Sequence, residues 1–341
     1  MSRRFVTLAV FLALVPVAAA SAAKPTARSW AQPQIQTVVS QGVMGTDVAT
    51  FRPDAPLTRG AAAALVAALT HKPAGPVTSP STPVTMAGLD ARLVGALGLK
   101  PTATVFAAGA RAAGLRTPSR FGTEAVARLL GLRTDHPAAQ DDLELLPNDP
   151  ATRAEAAFSA ARILGLSGWE TQSIANASAT FALPALGPWQ QRILQTAVSL
   201  IGYPYVWGGT SEFAEAPFKV QARGGFDCSG FVWRVYKLQL YAGAPSLSGV
   251  LRGRTTYQMS GEVPPSKRIA FPKLQPADVL FFGSIGPRSK PAQVDHTGIY
   301  LGNGWFIHSS GQGVAVAPLS GWYRTRFAWG RRPLAEAGLS V

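Results

Sequence analysis

The composition of this 341-residue chain changes near residues 168–188, and this change most restricts how the chain can fold. The residues before it, 24–166, are alanine-rich with helical periodicity and are interrupted by prolines. After it, aromatic and strand-forming runs alternate with turn-forming glycines. We therefore predict an all-α domain at 24–168, a linker at 169–188, a mixed helix and strand domain at 189–334 and a tail at 335–341.

The first 23 residues have the features of a secretory signal peptide. Arg3 and Arg4 form a basic start, and the apolar run at 5–17 is too short to span a bilayer as an ordinary helix. Residues 18–23 are alanine or serine, which suits a cleavage site. The sequence therefore predicts an exported protein that has no membrane span after signal cleavage.

The formal net charge is +14, and it stays strongly positive when Arg3 and Arg4 are removed. A basic exported protein is expected to act among anionic wall polymers or lipid headgroups. Export and the lack of dense lysine and arginine clusters argue against nucleic acid as a partner. Because Cys228 is the one cysteine in the chain, an internal disulfide framework is excluded.

Two similar segments indicate an internal repeat in the helical half. They are FRPDAPLTRG at residues 51–60 and LPNDPATRAE at 146–155, and each leads into an apolar helix. In both, Thr-Arg follows a proline-containing turn, so Thr58 and Thr152 are predicted to cap the helices. We also predict a degenerate middle copy over residues 107–132.

This pattern resembles the S-layer homology repeat, a helical module that is often found three in tandem and binds cell-wall polysaccharide. The resemblance implies a wall-binding domain in which Arg59 and Arg153 could each grip an acidic group bidentately. The first copy departs at Gly60, where the family usually has an acidic or amide residue. A plain helical domain without a ligand stays open, because capping alone explains the threonines.

Cys228 lies in the segment GGFDCSGF, which is arranged to present a thiol at the start of a helix. The glycines allow a sharp turn, and Asp227 or Ser229 can cap the helix. A sulfur at a helix N-terminus is favoured as thiolate, the nucleophilic form. A buried structural cysteine is the alternative, but the downstream residues His296 and His308 favour catalysis.

The two histidines lie in a hairpin pattern whose register decides whether they can act together. For His296 and His308 to share a sheet face, the numbers of paired residues must sum to an even value. A three-residue tip at 302–304 achieves this and places His308 opposite Gly298, diagonally near His296. A two-residue Asn303-Gly304 turn, which the local signal favours, places them on opposite faces unless a bulge intervenes.

Four motifs, YPYVWGG, GFDCSGFV, LQPADVLFFG and DHTGIYLGNGWFIHS, occur in the order found in the NlpC-type cysteine peptidases. These are papain-like endopeptidases of bacterial peptidoglycan, and the resemblance covers residues 189–334. It implies an α+β fold in which helices pack on a small antiparallel sheet. It also implies that Cys228 is the nucleophile, His296 the base and His308 the residue that orients His296.

The same resemblance implies a substrate and a partner. Tyr205, Asp227 and Ser229 match family positions that recognise the free amine end of a stem peptide, and the family cuts next to a γ-D-glutamyl residue. We therefore expect a secreted or cell-wall-associated bacterial hydrolase that acts on peptidoglycan by a Cys/His thiolate mechanism, without a cofactor or metal. An amidase or acyltransferase on another amide or lipid, or a wall-binding protein with a silent catalytic domain, stays open.

The chain departs from the family between Gly209 and the cysteine motif, where residues 210–224 intervene. We expect this insertion to be a substrate lid beside the cleft or a passive surface loop. We also expect the helical half to be dispensable for chemistry, so that a chain beginning near Ala185 keeps most of its activity on soluble peptides.

Overall fold

The computed structural model describes residues 29–340, so the predicted signal peptide lies outside the described residues. The first half of this part is helical, with α1 (Gln32–Ser40), α2 (Arg59–Thr70), α3 (Met86–Ala96), α4 (Lys100–Ala112), α5 (Phe121–Leu129), α6 (Arg153–Leu164) and α7 (Gly168–Ser178). None of the helices between residues 29 and 340 combines the length and apolarity needed to cross a membrane.

Three short extended segments meet at the centre of the helical half and are joined by a cyclic set of backbone hydrogen bonds. Leu57 N–H donates to Ala151 O, Ala151 N–H to Val84 O and Val84 N–H to Leu57 O, all at 2.7–2.8 Å. The residue after each of these is a threonine whose side-chain oxygen caps α2, α3 or α6. The capping role predicted for Thr58 and Thr152 is therefore confirmed.

The middle copy of the repeat lies earlier in the chain than we predicted. The third capping threonine is Thr85, at the start of α3. Residues 107–132 instead contain the end of α4, a turn and α5, whose N-cap residue Arg120 makes no capping side-chain hydrogen bond. The prediction was wrong because it followed a turn and an apolar helix, whereas the three copies share a capping threonine at their junction.

The segment predicted as a linker, residues 169–188, is folded. Its first part belongs to α7, which begins with a capping box. Phe181 then enters the core, where its ring centre lies 5.0 Å from that of Phe106 and 5.1 Å from that of Trp305. One hydrophobic core therefore runs through both halves of the molecule.

The second half contains α8 (Pro188–Ser199) and α9 (Cys228–Trp233), which continues as a π-helical turn at Arg234–Leu238. Short helices follow at α10 (Leu247–Val250), α11 (Thr256–Gly261), α12 (Gly321–Arg326) and α13 (Pro333–Glu336). The strands are β1 (Thr210–Ser211), β2 (Gly225–Phe226), β3 (Val279–Gly283), β4 (Val294–Gly302), β5 (Trp305–Ser310), β6 (Gly313–Pro318) and β7 (Phe327–Arg331).

In the described part of the chain, β3 to β7 form an antiparallel sheet with the order β6-β5-β4-β3-β7, and β1 pairs with β2. The cysteine helix α9 packs against β4 and β5 of the larger sheet. The predicted α+β architecture, with helices on a small antiparallel sheet, is confirmed.

The inserted residues 210–224 are folded beside the cysteine helix. Glu215 and Ala222 exchange backbone hydrogen bonds at 3.2 and 2.9 Å. Glu212 forms a two-point ion pair with Arg234, on the continuation of α9, at 2.7 and 2.8 Å. Arg234 follows directly after α9, so the ion pair with Glu212 connects the insertion to the helix that carries the cysteine.

Polar contacts also join the two halves. Arg128 donates from Nη2 to Gly202 O at 2.6 Å and from Nε to Glu124 at 3.0 Å. Arg120 donates from Nε to Ile201 O at 2.8 Å. The helical half therefore holds the chain where it leaves α8 and enters the catalytic segment.

Candidate active site

Cys228 is the first residue of α9, and Asp227 is its N-cap. The Asp227 carboxylate accepts the Gly230 N–H, so one of the unpaired donors at the helix start is satisfied. Glycine is needed at position 230, because a Cβ there would lie 1.8 Å from Gly209 O. The loop ahead of the cysteine can thus cross α9 at close contact.

The thiol of Cys228 is buried between α9 and the sheet. Burial, followed by the nearby charge of Asp227, raises the pKa of Cys228 to about 12, although the N–H groups of Ser229 and Thr297 donate to the sulfur. Burial therefore opposes the thiolate that the helix start was expected to favour, because desolvation outweighs the effect of the helix end on the pKa of Cys228.

His296 and His308 share one face of the sheet because a bulge corrects the register. Near the histidines the numbers of paired residues sum to an even value, as for Ile299 with Ile307. The register then shifts by one residue before the tip of the hairpin. The tip is the two-residue Asn303-Gly304 turn, in which φ is 48° and 78°. The structure thus combines the turn that the sequence favours with the bulge that the histidine pair requires.

The two imidazoles form a hydrogen-bonded pair. His296 Nε2 lies 2.8 Å from His308 Nδ1, and the rings meet edge to face. The next residue along β4, Thr297, donates its backbone N–H to the Cys228 sulfur, so the histidine pair lies close to the start of α9. Burial lowers the pKa of His296 to about 4, and burial together with His296 holds the pKa of His308 well below its usual range. Both rings are neutral near pH 7, as a general base must be.

Tyr323 completes this cluster, and no sequence signal indicated it. Its Oη lies 3.5 Å from His308 Nε2, and its ring packs against Phe282 and Phe306. For His296 Nδ1 to accept a proton, His296 Nε2 must donate to His308 Nδ1. His308 then carries its own hydrogen on Nε2, and Tyr323 Oη supplies an acceptor for it.

Arg254 neutralises Asp227 next to the cysteine, and it too was missed from the sequence. Its Nη1 donates to Ser229 Oγ at 2.7 Å, and Nη1 and Nη2 each lie 3.2 Å from an Asp227 oxygen. Ser229 Oγ donates to Asp227 at 2.9 Å, and Gly208 N–H donates to it at 3.0 Å. The Asp227 carboxylate is therefore already surrounded by donors from the protein.

Tyr205 lies near the same group of residues. Burial raises the pKa of its phenol, and the negative charge of Asp227 raises it further. The structure therefore brings the three residues matched to amine recognition, Tyr205, Asp227 and Ser229, into one cluster beside Cys228.

The two arginines matched to wall binding have different surroundings. Arg59 is exposed at the first position of α2. Arg153 donates from Nε to Phe51 O at 2.7 Å, and its guanidinium lies 4.5 Å from the centre of the Phe51 ring. Arg153 thus joins two parts of the helical half, whereas Arg59 is open to a ligand.

The chain has relatives among curated proteins. It is 35% identical over 132 residues to "Probable peptidoglycan endopeptidase LytE" of Bacillus subtilis, covering 39% of this chain and 30% of that protein. It is 34% identical over 134 residues to murein DD-endopeptidase MepH of Escherichia coli, covering 39% and 41%. It is 28% identical over 128 residues to a gamma-D-glutamyl-L-lysine dipeptidyl-peptidase of B. subtilis, covering 38% and 34%. The chain thus spans less than half the length of each of these relatives.

One solved structure and two family models are also similar to parts of the chain. A crystal structure of an NlpC/P60 family protein from Bacillus cereus is 26% identical, covers 45% of this chain and 41% of its own, and has a TM-score of 0.32. Residues 202–332 match the model described as the NlpC/P60 family, and residues 23–63 match that described as the S-layer homology domain. The chain therefore carries an NlpC/P60 domain, which holds Cys228, His296 and His308, and an S-layer homology domain ahead of it.

Proposed function

We propose that the chain is a secreted peptidoglycan hydrolase that cleaves amide bonds in stem peptides, next to γ-D-glutamyl, by a cysteine mechanism. The observation that best supports it is the position of Cys228 at a capped helix start beside the neutral His296–His308 pair. The related proteins described above are named as endopeptidases or a dipeptidyl-peptidase, two of them of peptidoglycan or murein. The net charge of +14 suits work among anionic wall polymers.

The mechanism begins with coupled proton transfer. His296 Nδ1 takes the thiol proton as Cys228 Sγ attacks the carbonyl carbon, because burial disfavours a preformed thiolate. The backbone N–H of Cys228 at the helix start stabilises the oxyanion. His296 then gives its proton to the leaving amine, which leaves an acyl-enzyme, and next activates the water that releases it. His308 holds the ring and tautomer of His296 throughout.

Digestion of purified muropeptides, with the products identified by mass spectrometry, tests the proposal and identifies the bond. The wild-type chain should release fragments ending in γ-D-glutamyl. Cys228→Ala should lower the rate by about a thousandfold or more while the circular dichroism spectrum stays unchanged. Appreciable activity in that folded variant contradicts the proposal, and turnover confined to another amide or a lipid would instead support the amidase or acyltransferase alternative.

We place recognition of the stem's free amine at Tyr205, Asp227 and Ser229. Arg254 already pairs with Asp227, so an ammonium that binds there must share or displace the guanidinium. Asp227 also caps α9, and asparagine caps a helix about as well as aspartate. In a competition digest, Asp227→Asn should reduce the preference for sugar-free over sugar-linked stems. An unchanged preference would leave capping as the role of Asp227.

We propose that the helical half holds the chain on an anionic wall polymer. Besides the exposed Arg59, a cavity of about 730 Å³ between α2 and α3 is lined by small side chains and by Lys72, Arg92 and Lys100, with no acidic residue in its lining. Such a groove suits a polymer that carries carboxylate or phosphate groups. Sedimentation with cell walls before and after chemical removal of their anionic polymers tests this, and equal binding to both preparations contradicts it.

A further inference from the structure

We propose that a basic track runs along α4 from the helical half onto α8 of the catalytic half, and that it holds one linear anionic polymer of the cell wall. This inference rests on the proposed wall binding and extends it, because the cavity between α2 and α3 becomes one end of a longer site. The other end is a cavity at the junction of the two halves.

The sequence around α4 and α8 is basic and nearly free of acids. Residues 91–123 include five lysine or arginine residues and no aspartate or glutamate. Residues 182–211, which contain α8, also lack acids and include Arg192. Most acidic residues of the helical half follow residue 123 instead. The charge is therefore distributed so that a polyanion is attracted to the side of the molecule that carries α4.

Three cavities follow one another along α4, and none has an acidic residue in its lining. The cavity between α2 and α3 shares Ala91 and Lys100 with a second cavity of about 340 Å³, which extends along α4 to Arg111. Arg111 O accepts the Gly114 N–H at 2.9 Å, and Gly114 lines a third cavity of about 270 Å³. From residue 100 to residue 111 a helix rises about 16 Å. One extended chain can therefore reach all three cavities.

The third cavity is formed by both halves of the molecule. Gln195 of α8 accepts the Arg116 N–H at 2.7 Å and donates to Arg116 O at 2.5 Å, which fixes the two walls of the cavity to each other. A ligand in this cavity therefore contacts both halves at once. Its lining consists of Gly114, Arg116, Gln191, Arg192, Gln195 and Tyr241.

The guanidinium of Arg192 is held in position in this third cavity. It lies 4.4 Å from the centre of the Trp189 ring and 5.8 Å from that of Tyr241, and its Nη1 donates to Ala242 O at 2.9 Å. None of the ion pairs within residues 29–340 involves Arg116 or Arg192. Both guanidinium groups are therefore available to a phosphate or carboxylate group of a ligand.

A polymer fits this arrangement better than a small anion or a bilayer does. A contact between exposed charges contributes little by itself, so a single anionic group binds weakly. A chain with one negative group on each unit makes several contacts, and each contact after the first is intramolecular. None of the large apolar side chains that are exposed in the described part of the chain lines these cavities, whereas a surface that inserts into a bilayer presents such groups.

The test measures binding of the full chain to polyanions of defined length by isothermal titration at physiological ionic strength. The probes are a dimer and a decamer of galacturonate, which carry carboxylates, and of polyphosphate. The wild type should bind at least one decamer about tenfold or more tightly than its dimer. The track variant combines Arg111→Gln, Arg116→Gln and Arg192→Gln. It should bind that decamer about ten- to a hundredfold more weakly, because three exposed contacts each contribute about two- to fivefold.

The matched control variant combines Lys267→Gln, Lys273→Gln and Arg288→Gln, three exposed positions of the catalytic half outside the three cavities. It removes the same charge, and it should bind the decamer within about twofold of the wild type, since charges farther away than about 8 Å are screened. Circular dichroism spectra should be the same for both variants and the wild type. Equal losses in the two variants would show an effect of net charge alone and would overturn the track.

Comparisons made on the wild type alone keep the proposal falsifiable. Equal affinity for dimer and decamer, binding to neither decamer, or tighter binding to vesicles of anionic lipid would each overturn the track. If the wild type still sediments with cell walls in any of these cases, wall binding itself stands. A chain that neither sediments with walls nor binds a decamer would overturn both the track and the proposed wall binding.

Discussion

The catalytic half and the helical half bury titratable groups of different kinds. In the catalytic half, Cys228, His296 and His308 are all driven by burial toward their neutral forms. In the helical half, the buried groups are mostly carboxylates and guanidinium groups, among them Asp90, Glu124, Arg128, Arg133 and Glu155, each at most 5% exposed. The reactive site is thus made by desolvating groups that titrate readily, whereas the repeat domain encloses an ion network.

The ion network of the helical half is incompletely paired. Arg133 lies 3.6 Å from Glu155 and 4.0 Å from Asp90, both at the long end for ion pairs. Neither Asp90 oxygen has a hydrogen-bond partner in the described part of the chain. Buried charges whose attraction does not offset their desolvation lower stability. We therefore expect the stability of the helical half to depend more strongly on pH, whereas the buried groups of the catalytic site stay neutral.

The largest expected effect tests whether the halves are separable at all. Trp305 begins β5 and packs against Phe106 and Phe181 of the helical half. Trp305→Ala should lower the free energy of unfolding by about 3–5 kcal/mol. Because the core is shared, helical signal and activity should be lost in one transition on denaturant titration.

The control for this change is Trp169→Ala, whose side chain is 72% exposed and should alter stability by less than about 0.5 kcal/mol. Two separate transitions in the wild type would show that the halves fold independently. That result would restore the expectation that a chain beginning near Ala185 stays active, which the shared core now argues against.

The next prediction tests the different roles proposed for the two histidines, with His296 as the base and His308 as the residue that orients it. His296→Ala should be nearly as damaging as Cys228→Ala, because it removes the proton acceptor. His308→Ala should lower kcat/KM by about ten- to a hundredfold, and His308→Asn or His308→Gln by less, since a neutral side chain can still hold the base. All four rates are measured on one muropeptide. A greater loss for His308→Ala than for His296→Ala would mean that the assigned roles are reversed.

A smaller effect is expected on the pH dependence of stability. Burial raises the pKa of Asp90 to about 7, whereas an unfolded aspartate titrates near 4. The folded state therefore binds this proton more tightly. Its contribution to stability is fully present below about pH 4, falls by about 1.4 kcal/mol per pH unit up to about pH 7, and is constant above that.

The measurement is denaturant unfolding of the full chain between pH 5 and 8. Asp90→Asn should flatten the decline, because it removes the titrating group and keeps its size. Asp54→Asn, at an exposed position, should leave the decline as it is. A profile for Asp90→Asn that matches the wild type would show that buried Asp90 does not set the pH sensitivity.

The smallest effect concerns Tyr323. Tyr323→Phe removes the acceptor for His308 Nε2–H while keeping the ring that packs on Phe306. We expect kcat to fall about three- to tenfold with little change in KM, because a single neutral hydrogen bond is lost. Tyr257→Phe, at a side chain that is 51% exposed and away from the histidines, is the control. A fall in both KM and kcat, or a fall in neither, would argue against a role for Tyr323 in holding the His308 tautomer.

Sequence reasoning succeeded where the signal was local and failed where partners came from far along the chain. The capped start of α9 follows from Asp227 and Gly230, three residues apart. The bulge before the Asn303-Gly304 turn could be anticipated only because two histidines had to share a face. Arg254, which meets Asp227 from 27 residues away, lies in a loop without any pattern to mark it.

What the sequence by itself determined is local: the capped starts of α2, α6 and α9, the alternating strands, and the order in which these elements follow one another. Caps, strand alternation and turns depend on residues a few positions apart, so chain order encodes them. Only the tertiary structure decided the raised pKa of Cys228, the neutralisation of Asp227 and the docking of Phe181 against Trp305. Burial and Coulomb interactions depend on which distant segments of the chain come into contact. Neither composition nor the spacing of residues specifies those contacts.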